Sequence, residues 1–125
     1  MDLQLGGKHA LVCGGSEGIG RAAAHELALL GADVTLLARR ADALQAAVTA
    51  LPCAEGQRHG WIAADLADAH SLRSQIQALV SGRAVQILVN NTGGPPGGPV
   101  LSAEIPAFLD AFNTHLVANQ IIVQA

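Results

Sequence analysis

The sequence contains no tyrosine, and its other aromatic residues are two phenylalanines and one tryptophan. Cysteine is also scarce, because Cys13 and Cys53 are the only two. Two cysteines form no disulfide framework, so we expect the protein to work in the reducing cytoplasm. Cys13 ends an apolar run, which favours a packing role over a reactive one.

Charged residues are few, and long apolar runs are absent. Charged side chains make up 14% of the chain and its net charge at pH 7 is −3, which argues against nucleic-acid or anionic-membrane binding. No apolar run reaches the ~18 residues that a bilayer crossing requires, and the N-terminus lacks the basic-then-apolar order of a signal peptide. Half of the residues are apolar, which suffices for one domain with a buried core.

Short apolar runs alternate with amphipathic segments along the chain. Strands are predicted at residues 8–14, 33–39, 59–65 and 85–91. Helices are predicted at residues 18–30, 41–51 and 69–80, and from about residue 105 onward. This alternation indicates an α/β fold with a doubly wound, Rossmann-type parallel sheet.

Helix ends and helix faces can be predicted from the same patterns. Gly31 is expected to end the first helix, and Asp68 to cap the third. The first helix carries apolar residues at helical spacing, namely Ile19, Ala23, Leu27 and Leu30. In the last helix Phe108, Phe112 and Leu116 are expected to face inward.

Residues 13–20, CGGSEGIG, place four glycines at the first strand–helix junction. The start of a helix offers N–H groups and a positive dipole end, and a pyrophosphate approaches it closely only where no Cβ intervenes. Gly14 would permit the tight turn, Gly18 the close approach, and Gly20 the packing of helix on sheet. The spacing is G-x-x-x-G-x-G rather than G-x-G-x-x-G, and an ordinary glycine-rich connection is the alternative interpretation.

Arg39 ends the second predicted strand, about 20 residues beyond the glycines, and Arg40 follows it. An acidic residue at this place binds the ribose hydroxyls of NAD, whereas an arginine accommodates the extra phosphate of NADP. Asp33 lies at the start of the strand and Asp42 lies in the next helix, so no carboxylate competes at its end. A guanidinium binds phosphate through two parallel hydrogen bonds. The pattern predicts NADP (NADPH) over NAD, with a solvated arginine pair as the alternative.

Together these residues resemble the short-chain dehydrogenases/reductases, which include the 3-oxoacyl-carrier-protein reductases. The family motif T-G-x-x-x-G-x-G matches residues 13–20, with Cys13 in place of the threonine. The family's aspartate after the third strand matches Asp65, and its N-N-A-G motif matches residues 90–93, with Thr92 in place of the alanine. The three motifs occur in the family's order and cover nearly the whole chain.

The resemblance implies a cofactor site built from several segments. Its residues would be Gly14, Gly15, Ser16, Glu17, Gly18, Ile19, Gly20, Arg39, Arg40, Asp65, Leu66, Asn91, Thr92 and Gly93. Asp65 would meet the adenine, or else cap the following helix. Asn90 and Asn91 would tie the central strands together and reach the ribose, or act structurally only. The loop 92–100 would border the substrate entrance or form a plain surface loop, and Glu17 stands where many NADP-using relatives carry a basic residue.

The helix predicted from about residue 105 matches the family's fifth helix, and His115 occupies the place of the family's catalytic-network asparagine in it. A histidine there could relay protons, and a core or interface histidine is the alternative. The other histidines lack metal-ligand spacing, so we interpret them as incidental and expect no metal. They are His9, His25, His59 and His70.

The family's chemistry uses a serine, a tyrosine and a lysine four residues after the tyrosine. This chain has no tyrosine, and Lys8 is its one lysine. Residues 1–125 are therefore predicted to form a single dinucleotide-binding domain, truncated before the catalytic half and inactive alone. The parent would be an NADP-dependent oxidoreductase acting on a small carbonyl or alcohol. The alternative is a non-catalytic nucleotide-binding or interaction fragment.

The family also implies an arrangement of strands and subunits. The strand order would be 3-2-1-4, which leaves the fourth strand at an edge with unpaired backbone. The complete protein would be a homodimer or homotetramer with the fifth helix at an interface.

Overall fold

The computed structural model describes all 125 residues, Met1–Ala125. The strands are β1 (His9–Cys13), β2 (Asp33–Ala38), β3 (Gly60–Ala63) and β4 (Ile87–Val89). The helices are α1 (Gly18–Leu29), α2 (Ala41–Thr49), α3 (Ala69–Gly82), α4 (Ile105–Phe112) and α5 (Ala118–Gln124). A 3-10 turn, Val100–Ser102, precedes α4, and a π-helical turn, Asn113–Val117, joins α4 to α5. Every predicted strand and helix is present.

The four strands form one parallel sheet in the order β3-β2-β1-β4, which confirms the predicted Rossmann-type half. β1 and β2 pair along their length, from His9 opposite Asp33 to Cys13 opposite Leu37. β4 pairs with β1 at three positions only and forms an edge. Because the strands are parallel, their carboxyl ends meet at one edge of the sheet, and the segments that follow them lie close together.

The core lies on both faces of the sheet, because successive residues of a strand point to opposite sides. On one face Ala10, Val12, Val34 and Leu36 pack with α1 and α2. On the other face a second cluster is formed with α3 and α5. Its strand residues are Leu11, Cys13 and Leu37. Burial raises the pKa of the Cys13 thiol to about 11, which fits the packing role predicted for it.

The core face of α1 differs from the prediction. Gly20, Ala24 and Ala28 are the buried residues of this helix. Ile19 is 79% exposed and Leu30 is also exposed. The buried stripe is displaced by one residue from the apolar residues named above. Its small side chains let the helix approach the sheet closely. Gly31 follows the helix with a φ of +98°, in the conformation predicted for it.

The inward orientation predicted for Phe108, Phe112 and Leu116 is wrong. Each of these side chains is more than half exposed, because no other part of the chain packs on that side of α4. The end of the segment is anchored instead, since Ala118, Ile121 and Ile122 are buried in the second core cluster. None of the helices combines the length and apolar character that a membrane crossing needs.

Two histidines at the amino-terminal edge of the sheet have structural roles that the sequence analysis missed. His9 Nε2 lies 2.8 Å from Thr35 Oγ1, and both residues are buried. The N–H of Val34 donates to His59 Nδ1 at 3.1 Å, and His59 Nε2 lies 2.8 Å from the carbonyl oxygen of Pro52. These histidines tie the starts of β1 and β2 to their surroundings, so they are not incidental.

Asp33, at the start of β2, is part of the same edge. Its carboxylate accepts a hydrogen bond from the N–H of Arg58 at 2.6 Å, and lies 2.5 Å from Arg83 Nη1. Burial opposes ionisation of Asp33, but the N–H of Arg58 and the guanidinium of Arg83 outweigh it and lower its pKa.

Candidate functional site

The glycine turn between β1 and α1 is packed on one side and open on the other. Gly14 and Gly18 have φ values of +61° and +58°, in the left-handed region that favours glycine. A Cβ on Gly14 would lie 2.5 Å from the carbonyl oxygen of Asn91, and a Cβ on Gly20 would collide with the carbonyl oxygen of Gly14. A Cβ on Gly18 would meet nothing within 4 Å. At Gly14 and Gly20 the turn is therefore in close contact with the start of α1 and the segment after β4. Gly18, in contrast, faces open space.

The start of α1 leaves its backbone N–H groups without a side-chain cap. Glu17 immediately precedes the helix, and its side chain makes no capping hydrogen bond. The first N–H groups of a helix have no partner within the helix, and they attract anions. An uncapped helix start beside an open glycine turn fits a phosphate group. Ser16 and Ile19 flank Glu17 and Gly18 in the chain, and the Ile19 side chain is exposed.

Arg39 and Arg40 leave the carboxyl end of β2 and are both exposed. Arg40 immediately precedes α2, and its Nη2 lies 3.9 Å from Oε2 of Glu17. The carboxyl ends of β1 and β2 thus bring Glu17 and Arg40 together, although 22 other residues separate them in the chain. Arg39 takes part in no ion pair, so its guanidinium is free to bind an anion.

The segment after β3 shows the capping interactions that the sequence analysis considered. Asp65 Oδ1 accepts a hydrogen bond from the N–H of Ala67 at 2.9 Å, so Asp65 organises the turn before α3. Asp68 caps α3 as predicted, because its carboxylate accepts from the N–H of Ser71 at 3.1 Å. The Asp65 side chain remains exposed at the carboxyl edge, and its contact with adenine stays a prediction. Leu66 packs against the second core cluster.

The segment after β4 joins the glycine turn to the last helices. Asn91 packs on Gly14 and Gly20, whereas Asn90 is exposed and Gly93 has open space around it. The Thr92 hydroxyl and Nδ1 of His115 form a hydrogen bond. Sequence reasoning named both residues and missed the contact between them. The available signal was that each of the two departs from the family pattern.

His115 lies in the π-helical turn, a local irregularity that often marks functional positions. Besides contacting Thr92, it lines a groove of about 850 Å³ between α3 and the last helices. Phe112, His70 and Arg73 line the same groove. The groove is separate from the glycine turn, and His115 is the residue that contacts both the carboxyl-edge segment and the groove.

A parallel sheet with strand order β3-β2-β1-β4 and a glycine turn at the head of its first helix defines a Rossmann-type α/β protein. A family model described as short chain dehydrogenase matches residues 8–125. The chain belongs to the short-chain dehydrogenase family.

Individual relatives agree with this assignment. L-xylulose reductase from Mesocricetus auratus is 36% identical over 118 residues, which are 94% of this chain and 45% of that protein. The structure of L-sorbose reductase from Gluconobacter frateurii, complexed with NADPH and L-sorbose, has a TM-score of 0.89 at 29% identity over 99% of this chain and 48% of its own.

A third relative is RhlG of Pseudomonas aeruginosa in an active-site complex with NADP. Its structure has a TM-score of 0.86 at 34% identity over 98% of this chain and 48% of its own. The chain spans less than half of the length of these relatives.

Proposed function

We propose that the protein carrying this chain is an NADP(H)-dependent oxidoreductase that transfers hydride between the nicotinamide and a small carbonyl or alcohol. The observation that carries this proposal is the open Gly18 face above the uncapped start of α1. Similarity to an L-sorbose reductase complexed with NADPH and to RhlG in complex with NADP supports the choice of cofactor. Arg39 supports it from this chain's own residues, because its unpaired guanidinium suits the extra phosphate.

Each part of the cofactor has candidate residues along the carboxyl edge of the sheet. The pyrophosphate would lie on residues 14–20, the 2′-phosphate at Arg39 and Arg40, and the adenine at Asp65 and Leu66. Asn91 would reach the ribose, with Thr92 and Gly93 at the nicotinamide end. A bound NADPH supplies the hydride. His115 would act there as a protonatable group whose orientation is fixed by the hydrogen bond to Thr92.

The experiment that tests the cofactor site is titration with NADPH by calorimetry, in the native protein and in Gly18→Ala. The added methyl group would stand on the open face of the turn, so we expect NADPH affinity to fall at least ~10-fold. Gly56→Ala is the matched control. Gly56 also has a positive φ, +85°, and open space around it, but it lies in the loop before β3.

Both substitutions impose a similar backbone strain, about 1–2 kcal/mol. Loss of NADPH binding in Gly18→Ala alone therefore identifies the turn as the binding site. Equal losses in both variants, or no NADPH binding by the native protein at millimolar concentration, would contradict the proposal.

A second candidate function is nucleotide binding without catalysis. Lys8 directly precedes β1, at the sheet edge opposite the glycine turn, so the chain's one lysine is remote from the proposed nicotinamide end. With no tyrosine in the sequence, these residues do not supply the family's proton donor. NADPH binding without NADPH consumption in the presence of carbonyl compounds would favour this function.

We also propose that the protein associates with further copies of itself in the cytoplasm. The exposed apolar side chains of α4, which include Ile105, Phe108 and Phe112, form a surface suited to a second copy. A homodimer or homotetramer that buries this helix would place it at an interface, as the family resemblance implies.

A further inference from the structure

The groove between α3 and the last helices lies apart from the glycine turn to which we assign the cofactor. Its volume is about 850 Å³, within the range of about 300–1,000 Å³ that is typical of small-molecule sites. The segment from α4 to α5 gives it an apolar wall, on which Phe112, Leu116 and Val123 are each more than half exposed. A concave apolar surface that stays in contact with water favours a ligand with an apolar body.

The α3 side of the groove carries a positive charge. His70 and Arg73 are three residues apart in α3, so their side chains stand on the same face of that helix. Arg73 is exposed and takes part in no ion pair. No aspartate or glutamate lines the groove, and the carboxylate of Asp68, directly before α3, accepts the N–H of Ser71. The Arg73 guanidinium is therefore available to a carboxylate or another oxyanion.

His115 lines the groove and also bonds the segment after β4. Its Nδ1 bonds the Thr92 hydroxyl, so Nε2 is the ring nitrogen left for a second hydrogen bond. The side-chain amides of Asn119 and Gln120 line the groove as well, and amide NH2 groups donate hydrogen bonds. Each of these polar side chains can therefore donate to an oxyanion, and none of them carries a negative charge.

We propose that this groove binds an organic anion with an apolar body, of the chemical class of a medium-chain carboxylate. The carboxylate lies at His70 and Arg73, and its aliphatic chain lies along Leu116 and Val123. Both parts of the ligand are needed, since the groove offers a single guanidinium and a wall of exposed apolar side chains. The site goes beyond the proposed function, because none of these four residues is assigned to the cofactor.

Titration of the isotopically labelled protein with octanoate, followed through amide chemical shifts, tests the proposal. Octanoate should shift the amides of α3 and of residues 112–124 in a saturable way. Octanamide keeps the shape of the head but lacks its charge, and acetate keeps the charge but lacks the apolar body. Each of these two compounds should bind at least about 3-fold more weakly than octanoate.

Two pairs of variants locate the site. Arg73→Met removes the guanidinium from a long side chain, so octanoate affinity should fall about 3- to 10-fold while octanamide affinity changes little. Arg58→Met is the matched control, because the Arg58 guanidinium is exposed and forms no ion pair but lies in the loop before β3. Leu116→Gln should weaken both ligands about 3- to 10-fold. Leu109→Gln changes a side chain that is 60% exposed outside the groove and should weaken neither.

Three results would overturn the proposal. They are the absence of saturable octanoate shifts in the native protein, octanamide binding as tight as that of octanoate, and equal losses in Arg73→Met and Arg58→Met. Shifts of residues 112–124 that depend on protein concentration and that exclude octanoate would assign the groove to a second copy of the chain, and would overturn it as well.

The comparison of octanoate with octanamide uses only the native protein, so it tests the proposal even where a variant fails to fold. Circular dichroism of each variant separates a loss of ligand binding from a loss of structure. NADPH takes no part in these measurements. Failure of the groove proposal therefore leaves the proposed function standing, and failure of NADPH binding leaves the groove proposal standing.

Discussion

The two central strands, β1 and β2, are buried, whereas β4 and the segment that follows it are largely exposed. Every residue of β1 is buried and so is nearly all of β2, with helices on both faces. β4 has three paired residues, all partly exposed, and α4 has no buried residue. Both regions are apolar, so composition does not explain the difference. What differs is whether the chain supplies a covering layer.

The apolar area that stabilises this chain therefore lies in a different region from the apolar area that is exposed to partners. The central strands are covered from both sides by α1, α2, α3 and α5, and their apolar area contributes to stability in this chain. The apolar area of α4 contributes little until something packs on it. The candidate cofactor site at the carboxyl edge is therefore bordered on one side by the buried central strands. On the other side it is bordered by a segment that has few buried residues.

The largest expected effect is a loss of stability on truncating a central side chain. Leu36→Ala removes a fully buried side chain of β2, which also contacts Gly15, so the free energy of unfolding should fall by about 2–5 kcal/mol. Leu109→Ala in α4 is the matched control. Leu109 is 60% exposed, so the same change should stay within about 0.5 kcal/mol.

Urea denaturation followed by circular dichroism measures both changes. A Leu109→Ala loss as large as that of Leu36→Ala would mean that α4 is covered in solution, and the contrast between the two regions would disappear.

A smaller effect is expected at the hydrogen bond that links the two regions. Thr92→Val removes the hydroxyl that bonds His115 while keeping the branched shape, and should cost about 0.5–1.5 kcal/mol. Thr92→Ser keeps the hydroxyl and serves as the control. Amide hydrogen exchange should show faster exchange in residues 113–117 of Thr92→Val than of Thr92→Ser. Equal exchange in the two variants would show that the bond does not anchor the π-helical turn.

The smallest effect is a gradual pH dependence that originates at the buried edge of β1. Burial lowers the pKa of His9 below 6.5, and the positive charge of Arg83 adds to this, although Asp33 acts in the opposite direction. The unfolded chain therefore binds a proton more readily than the folded one between the folded pKa and 6.5. His9 contributes stability above pH 6.5, and that contribution is lost as pH falls from 6.5 through the folded pKa.

Urea midpoints at pH 7.5 and in steps down to pH 5 measure this dependence. Asp33, whose pKa is lowered from 3.8, contributes stability that is lost only at still lower pH. His9→Gln removes the titrating group and should flatten the profile below pH 6.5. An unchanged profile in His9→Gln would show that the dependence does not originate at His9.

The fold could be predicted from sequence because its signals are local and repeated. Apolar runs ending at glycines marked the strands, and Gly14, Gly18 and Gly20 have the backbone conformations or close contacts that their spacing suggested. The exposure of Ile19 could not be predicted, because helical spacing does not show which of two adjacent stripes of a helix faces the sheet. Phe108 and Phe112 were misplaced since periodicity predicts an apolar face but not what covers it.

The residues of the candidate site were predicted individually, but the contacts between them were not. Glu17 and Arg40 lie far apart in the sequence, as do Thr92 and His115, and only the parallel strand order brings each pair together. His9 and His59 were interpreted as incidental because their partners, Thr35 and Val34, belong to a neighbouring strand. Contacts between residues of different strands depend on register, which no single segment of sequence encodes.

The chain has one tryptophan, and its position gives the molecule a built-in optical probe. Trp61 stands in β3 opposite Leu36 and is 39% exposed. Its fluorescence therefore reports on the outer strand rather than on the centre of the sheet. Detachment of β3 ahead of the rest of the sheet would shift the emission to longer wavelength while the far-ultraviolet signal of the helices persisted.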